Sequence, residues 1–242
     1  MICLAVGDRW QTEEWQLRLE GADEQVCCMR AHTAQSALSQ MADTQTDVMI
    51  LCGSARSQDV LEALEQRPPL EAPWLVGDGY ADARLDASLT VERASELPAL
   101  LSGALRQGRL PKLAQAYLPQ LTSLARSLLH VLDMPPQLRA WIYLPQMLAL
   151  CVACPRLLDS VSGCLYPLIA ARFGMTSACV ERRLRLAVES TWNRASVDAL
   201  ERFFGQSIDP QRGKPTNREF LCRMRERLCF DAARLLYARA DA

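Results

Sequence analysis

The 242-residue chain is half apolar and 23% charged, a composition that fits two ordinary globular domains and excludes a disordered or fibrous polymer. Its formal net charge of −1 hides an asymmetry: residues 1–110 hold 9 Arg and no Lys against 17 acidic residues, net −8, whereas residues 111–242 hold 18 basic against 11 acidic residues, net +7. A basic half of this kind points to a nucleic-acid or membrane partner. No stretch reaches the roughly 20 apolar residues that span a bilayer. The opening MICLAVGDRWQTEEW has no basic segment ahead of its apolar run, so no secretory signal and no membrane partner are expected and the location expected is cytoplasmic.

In chain order, short apolar runs at 2–6 (ICLAV), 25–29 (QVCCM), 47–52 (DVMILC), 73–77 (PWLVG) and 87–91 (ASLTV) read as strands, with helical patterns between them and SELPALLSGALRQ closing the set. The alternation predicts an α/β domain over residues 1–106, a doubly wound five-stranded parallel sheet, with ligands expected beyond the carboxyl ends of the strands. The order and lengths resemble a response-regulator receiver domain. That resemblance implies an acidic Mg²⁺ pair after strand one, a phosphoacceptor Asp ending strand three, Ser or Thr after strand four and Lys-Pro after strand five. The chain supplies only Asp8, then Cys52, then Gly77-Asp78, then TVER. A thiol does not ligate a hard cation such as Mg²⁺. The domain is therefore read as a pseudo-receiver whose degenerate phosphorylation site, Asp8 and Cys52, takes no phosphate. Cys52 reads as a buried structural thiol, with a redox switch as the alternative.

RQGRLPKLAQAYLPQ combines Gly, Pro and basic residues, and the linker is placed at 107–120. From residue 121 to 242 apolar positions recur at helical spacing, punctuated by Pro135-Pro136, Pro155, Gly163, Gly174, Gly205 and Pro215, which predicts an all-α domain of about six helices. Cys151 and Cys154 form a C-x-x-C, but there is no second such pair and the only histidines are His32 and His130, so neither a metal nor another cofactor is expected. The ten cysteines read as reduced thiols.

Within LYPLIAARFGMTSACVERRLRLAVESTW the pieces of a helix-turn-helix fall at workable intervals. Ala170 lets a second helix approach, Gly174 supplies a permissive turn, and Ile169, Phe173, Met175 and Val180 fill the junction. Thr176 or Ser177 caps the second helix. Val180, Leu184, Ala187, Val188 and Thr191 make its core stripe, with Trp192 beside it. Ala178, Arg182, Arg185 and Glu189 lie nearly opposite, with Glu181 on the flank. Such a face suits the major groove, where Arg bonds guanine bidentately and Glu accepts from cytosine.

On LYPLIAARFG, VERRLRLAVESTW, VDALERFFG and GKPTNREF, and more weakly back to residue 124, the chain resembles the stage-zero sporulation protein A family of response regulators. The resemblance implies a six-helix domain that binds a short double-stranded DNA box as a homodimer and regulates promoters. It assigns Glu181, Arg182 and Arg185 to recognition-helix positions of the same residue types. It also assigns Lys214 to a basic loop residue near phosphate. Departures from the family are Cys179 in place of an Arg, Leu186 in place of a His and Arg183 in place of a small residue. Thr216 or Asn217 is expected to cap the last helix, with Glu219 completing a capping box.

The leading reading is thus a sequence-specific DNA-binding transcriptional regulator, independent of phosphorylation. Glu181, Arg182 and Arg185 read bases, and Lys214, Arg183, Arg194 and Thr176 or Ser177 lie at the backbone. RNA polymerase is a further candidate partner, as is a heterodimer with a family regulator. The alternative is a protein-interaction module or antagonist that pairs with a true family regulator or kinase; Cys179 and Leu186 favour it. A third reading, a redox or metal sensor, would use Cys52 or the Cys151/Cys154 pair. No nucleophile–base pair, phosphate loop or paired acids can be recognised, so the chain is read as not an enzyme.

Overall fold

Four runs of β-branched and apolar residues form the sheet of a computed structural model that describes residues 1–53, 55–66, 69–79, 81–86, 96–205 and 213–237. The chain divides into two units: Met1–Ala104 with Arg109–Ala116, and Leu105–Gly108 with Tyr117–Ala242.

In the first unit, β1 (Ile2–Val6), β2 (Cys27–Ala31), β3 (Val48–Cys52) and β4 (Trp74–Asp78) pair in parallel in the order β2-β1-β3-β4. Helices α1 (Arg9–Ala22), α2 (Ala34–Asp43) and α3 (Ala55–Gln66) alternate with them. Strand β3 is buried along its whole length, as expected where helices cover both faces of a parallel sheet. Leu4, Val6, Met49, Leu51 and Leu75 from the strands and Ala37, Val60, Leu61 and Leu64 from α2 and α3 form a single apolar cluster. The four strands fall where the sequence places them, shifted by at most two residues at either end. The fifth candidate, 87–91, lies outside the described residues.

Asp86, 4% exposed, is the buried acid of this unit among the described residues. Its carboxylate accepts from the backbone N–H of Leu75 at 2.8 Å and of Lys112 at 2.9 Å. Burial nonetheless holds its pKa above the ordinary value.

Helix α4 spans Leu97–Arg106, and α5 spans Lys112–Val131 with Pro119 inside it. The stretch 107–120 expected as a linker is therefore helical from Lys112 onward. Its apolar positions Ala114, Tyr117, Leu118 and Leu121 recur at three and four and are all buried, so burial overrides the local Gly and Pro signals. Helix α5 gives its first residues to the first unit and the remainder to the second.

The second unit continues with α6 (Leu144–Ala153), α7 (Tyr166–Arg172), α8 (Ser177–Arg194), α9 (Val197–Phe204) and α10 (Asn217–Tyr237). With the larger part of α5 these make six α-helices among the described residues. Shorter turns of helix cover Arg139–Ile142, Pro155–Leu158 and Val161–Leu165, the last wound as a π-helix around Gly163. The centre is α6, in which every residue but Gln146 is buried, Cys151 included, with Cys154 buried at its carboxyl cap. Trp192, Phe204 and Phe220 then tie α8, α9 and α10 together, with ring centroids 5.0 and 5.9 Å apart.

Candidate nucleic-acid interface and the degenerate receiver edge

At the carboxyl edge of the sheet, the β1 and β3 ends nearly touch. A Cβ on Gly7 would lie 2.8 Å from Cys52 Cβ and 2.9 Å from its carbonyl oxygen, so only glycine fits there. Cys52 is 2% exposed, and burial followed by the nearby Asp78 carboxylate pushes its thiol to about 12. Asp8 opens α1 and forms an ion pair with Arg56 at 2.6 Å. The same guanidinium donates to the Gly7 carbonyl at 3.2 Å, and His32 Nδ1 lies 3.1 Å from that oxygen. Asp78 accepts from the Trp15 indole N–H at 2.8 Å.

The donor set does not fit Mg²⁺. One carboxylate is already held by a guanidinium, the second by an indole, and the third position is a neutral thiol. No group of three His, Cys, Asp or Glu among the described residues could hold a metal ion. The Cys151 thiol in the second unit is fully enclosed, and burial raises its pKa well above the ordinary value.

The second candidate site is built on α7 and α8. Helix α7 ends at Phe173, and Gly174 follows with φ +61°. The Met175 N–H reaches back to the Ala170 carbonyl at 3.0 Å, the six-to-one bond of a Schellman end. Thr176 then caps α8, its hydroxyl accepting from the Cys179 N–H at 3.2 Å. Between 161–172 and 177–194 the helix axis turns by 97°. Ile169 and Val180 are buried in the angle, while Phe173 and Met175 are half-buried beside it.

Helix α8 sorts its faces as its periodicity requires. Val180, Leu184, Ala187, Val188 and Thr191 are all buried. Ala178, Arg182, Arg185 and Leu186 are exposed, Cys179, Glu181 and Arg183 are half-buried along the flanks, and Glu189, on the outward line of Arg182, is half-buried as well. Tyr143 lies against one flank and donates its phenol proton to the Val180 carbonyl at 2.9 Å. Asn217, at the start of α10, closes the other flank. Its side-chain amide donates to the Glu181 carbonyl at 3.2 Å and to the Tyr166 hydroxyl at 3.0 Å. Thr216 caps α10 reciprocally: Glu219 N–H donates to its hydroxyl at 3.3 Å and Thr216 N–H to the Glu219 carboxylate at 2.7 Å.

Most of the charges on this face are partnered. Arg185 pairs with Glu181 one turn back at 2.6 Å, and Lys214 reaches across to Glu189 at 2.7 Å. Arg182 makes no ion pair among the described residues. Arg183 folds back, its guanidinium 3.8 Å from the Met175 sulfur. Arg194 ends α8, about 18 Å beyond Arg182 at 1.5 Å rise per residue. Ser177 occupies the first helical position and is half-buried. Glu181, Arg182, Arg185 and Lys214 are thus brought together, Thr176 and Arg183 lie at the turn, and Arg194 stands apart.

A groove of about 800 Å³ runs between α8, residues 159–162 and the loop 214–218. Two side chains that fasten α8 from its flanks are not legible in the sequence in that role: Tyr143, and Asn217, which the sequence offers only as a possible cap of α10. The available signals were a lone hydroxyl in the apolar run WIYLPQML and an amide directly after a cap residue.

Residues 125–228 match the family described as sporulation initiation factor Spo0A C terminal.

Proposed function

We propose, on the premise that residues 125–228 form a domain related to the Spo0A C terminal, that the chain is a sequence-specific DNA-binding transcriptional regulator. The supporting observation is the outward face of α8, where Arg182 is exposed and unpaired among the described residues on a helix whose opposite face is wholly buried. The α7–α8 pair then acts as a helix-turn-helix. Arg182 and Arg185 donate to base edges, Glu181 accepts from a base or orients Arg185, and Lys214 and the α8 amino end approach phosphates. Thr176 serves first as a cap, Arg183 as a backbone contact only after it leaves Met175, and Arg194 as a peripheral one. The regulator works as a homodimer in the cytoplasm and influences RNA polymerase. No single described helix is long and apolar enough to cross a membrane.

The N-terminal α/β half, residues 1–106, is proposed as a pseudo-receiver, ahead of a 107–120 junction and a DNA-binding domain at 121–242. It controls DNA binding without phosphorylation, because Cys52 stands where a phosphoacceptor would and Arg56 neutralises Asp8. Incubation with acetyl phosphate and Mg²⁺ is expected to add no phosphoryl group detectable by mass spectrometry; stoichiometric phosphorylation would end this reading.

The test of DNA reading is to select duplexes from a random pool with the full chain, then compare the selected box with a scrambled duplex across a salt series. A box preference lost in Arg182→Ala and Arg185→Ala supports it. Binding indifferent to sequence and to both substitutions favours the protein-partner reading. That second reading has its own observation: Leu186, 52% exposed, stands on the same face, where Arg185 and Lys214 are already paired.

A further inference from the structure

Arg185, on the turn after Arg182, and Lys214, from the loop ahead of α10, are each held by an acid of α8 itself. Glu181 holds Arg185 and Glu189 holds Lys214. On the helix wheel Glu189 falls two turns beyond Arg182 on the same outward line, seven residues at 100° each. Any duplex that seats Arg182 in its groove therefore passes over Glu189. Arg182, Arg185, Glu181 and Glu189 together carry no net charge, so this face offers phosphate little indiscriminate attraction. The Lys214–Glu189 bridge is partly solvated, with side-chain exposures of 50% and 35%, and such a bridge is weak enough to exchange for a phosphate oxygen.

We propose that Glu189 is a specificity-determining residue that works by repulsion, masking Lys214 and opposing any duplex not held by base contacts. This inference rests on the DNA-binding reading above. In a complex held by phosphates alone, Glu189 meets the backbone as a like charge and Lys214 stays bridged. In a complex with the correct box, the base contacts of Arg182 and Arg185 hold the helix deep enough for a phosphate to take Lys214 from Glu189. The repulsion is present in both complexes, but only the second gains a phosphate contact to offset it.

The experiment measures equilibrium binding of the full-length wild type, Glu189→Gln and Glu189→Gln/Lys214→Ala to the selected box and to its scrambled version across a salt series. Glu189→Gln is expected to bind the scrambled duplex about 5-fold tighter at 0.15 M salt and the box less than about 2-fold tighter, lowering the discrimination ratio. The scrambled-duplex slope of log K against log salt is expected to steepen by about 0.9, one added phosphate contact, and the Lys214→Ala change is expected to abolish the added slope and to leave only the smaller gain that comes from removing the like charge of Glu189. Weaker binding of Glu189→Gln to both duplexes would overturn the proposal and make Glu189 a positioning residue for Lys214. An unchanged ratio in a protein whose wild type prefers the box would also overturn it, leaving the DNA reading intact. A wild type that binds neither duplex would defeat both.

Discussion

Single side chains on α8 divide into those that read and those that aim. Arg182 belongs to the first kind, and its truncation is expected to cost about 1–3 kcal/mol on the selected box with little loss on a scrambled duplex, as measured by competition binding. Tyr143 belongs to the second. Burial pushes its phenol pKa up, so it stays protonated and donates to the Val180 carbonyl throughout the working pH range. Tyr143→Phe is expected to lower stability by about 1 kcal/mol in urea unfolding and to weaken box binding with it, because the bond holds the first turn of α8 in place. Cys52 makes the opposite point. With its thiol pushed to about 12 and 2% exposed, it is expected to resist iodoacetamide at pH 8 in the folded chain and to react once the chain is unfolded in urea. The sequence shows that an Asp is missing at that position, but the chemical inertness of its replacement depends on its burial, with the Gly7 backbone packed against it.

At the scale of elements, the angle between α7 and α8 depends on one backbone conformation. Gly174 sits at φ +61°, and a Cβ there would meet nothing within 4 Å, so Gly174→Ala tests backbone strain alone. About 1 kcal/mol of destabilisation is expected in denaturant unfolding, with a matching loss of box affinity as the angle relaxes. These features were legible because they are local. The turn glycine, the Thr176 cap, the Thr216–Glu219 capping box and the apolar stripe of α8 all follow from spacing and side-chain chemistry within one or two turns. Helix α5 was only partly legible. Its Gly and Pro neighbours signal a break, and only the burial of Ala114, Tyr117 and Leu118 shows that the helix starts at Lys112.

For the whole molecule the charge asymmetry has a consequence that can be measured. The acidic first half, net −8, and the basic second half, net +7, give the full chain a weaker attraction for phosphate than its helical part alone. A fragment beginning at residue 117 is therefore expected to bind a scrambled duplex more tightly than the full chain, with the difference shrinking as salt rises. Stability should carry a signature of the first unit as well. Asp86 binds its proton more tightly in the native state than in the unfolded chain. Its contribution to stability is therefore fully present below the ordinary carboxylate pKa and declines as pH rises through the raised native value. Thermal unfolding of wild type and Asp86→Asn is expected to show a larger advantage for wild type at pH 4 than at pH 7.

The sequence by itself determined the α/β half and the helical half, four strands to within two residues, the faces of α8 and the relationship of residues 125–228 to the Spo0A C terminal. Each of these depends on periodicity, capping chemistry or residue identity along a continuous stretch. Only the tertiary structure decided which charges are partnered. Lys214 meets Glu189 from 25 residues away, Arg56 meets Asp8 from the first turn of α3, and Asn217 fastens a helix that begins 40 residues earlier. Electrostatic and hydrogen-bond partners are set by distance in space, and no spacing rule along the chain encodes a pair brought together by the packing of separate helices.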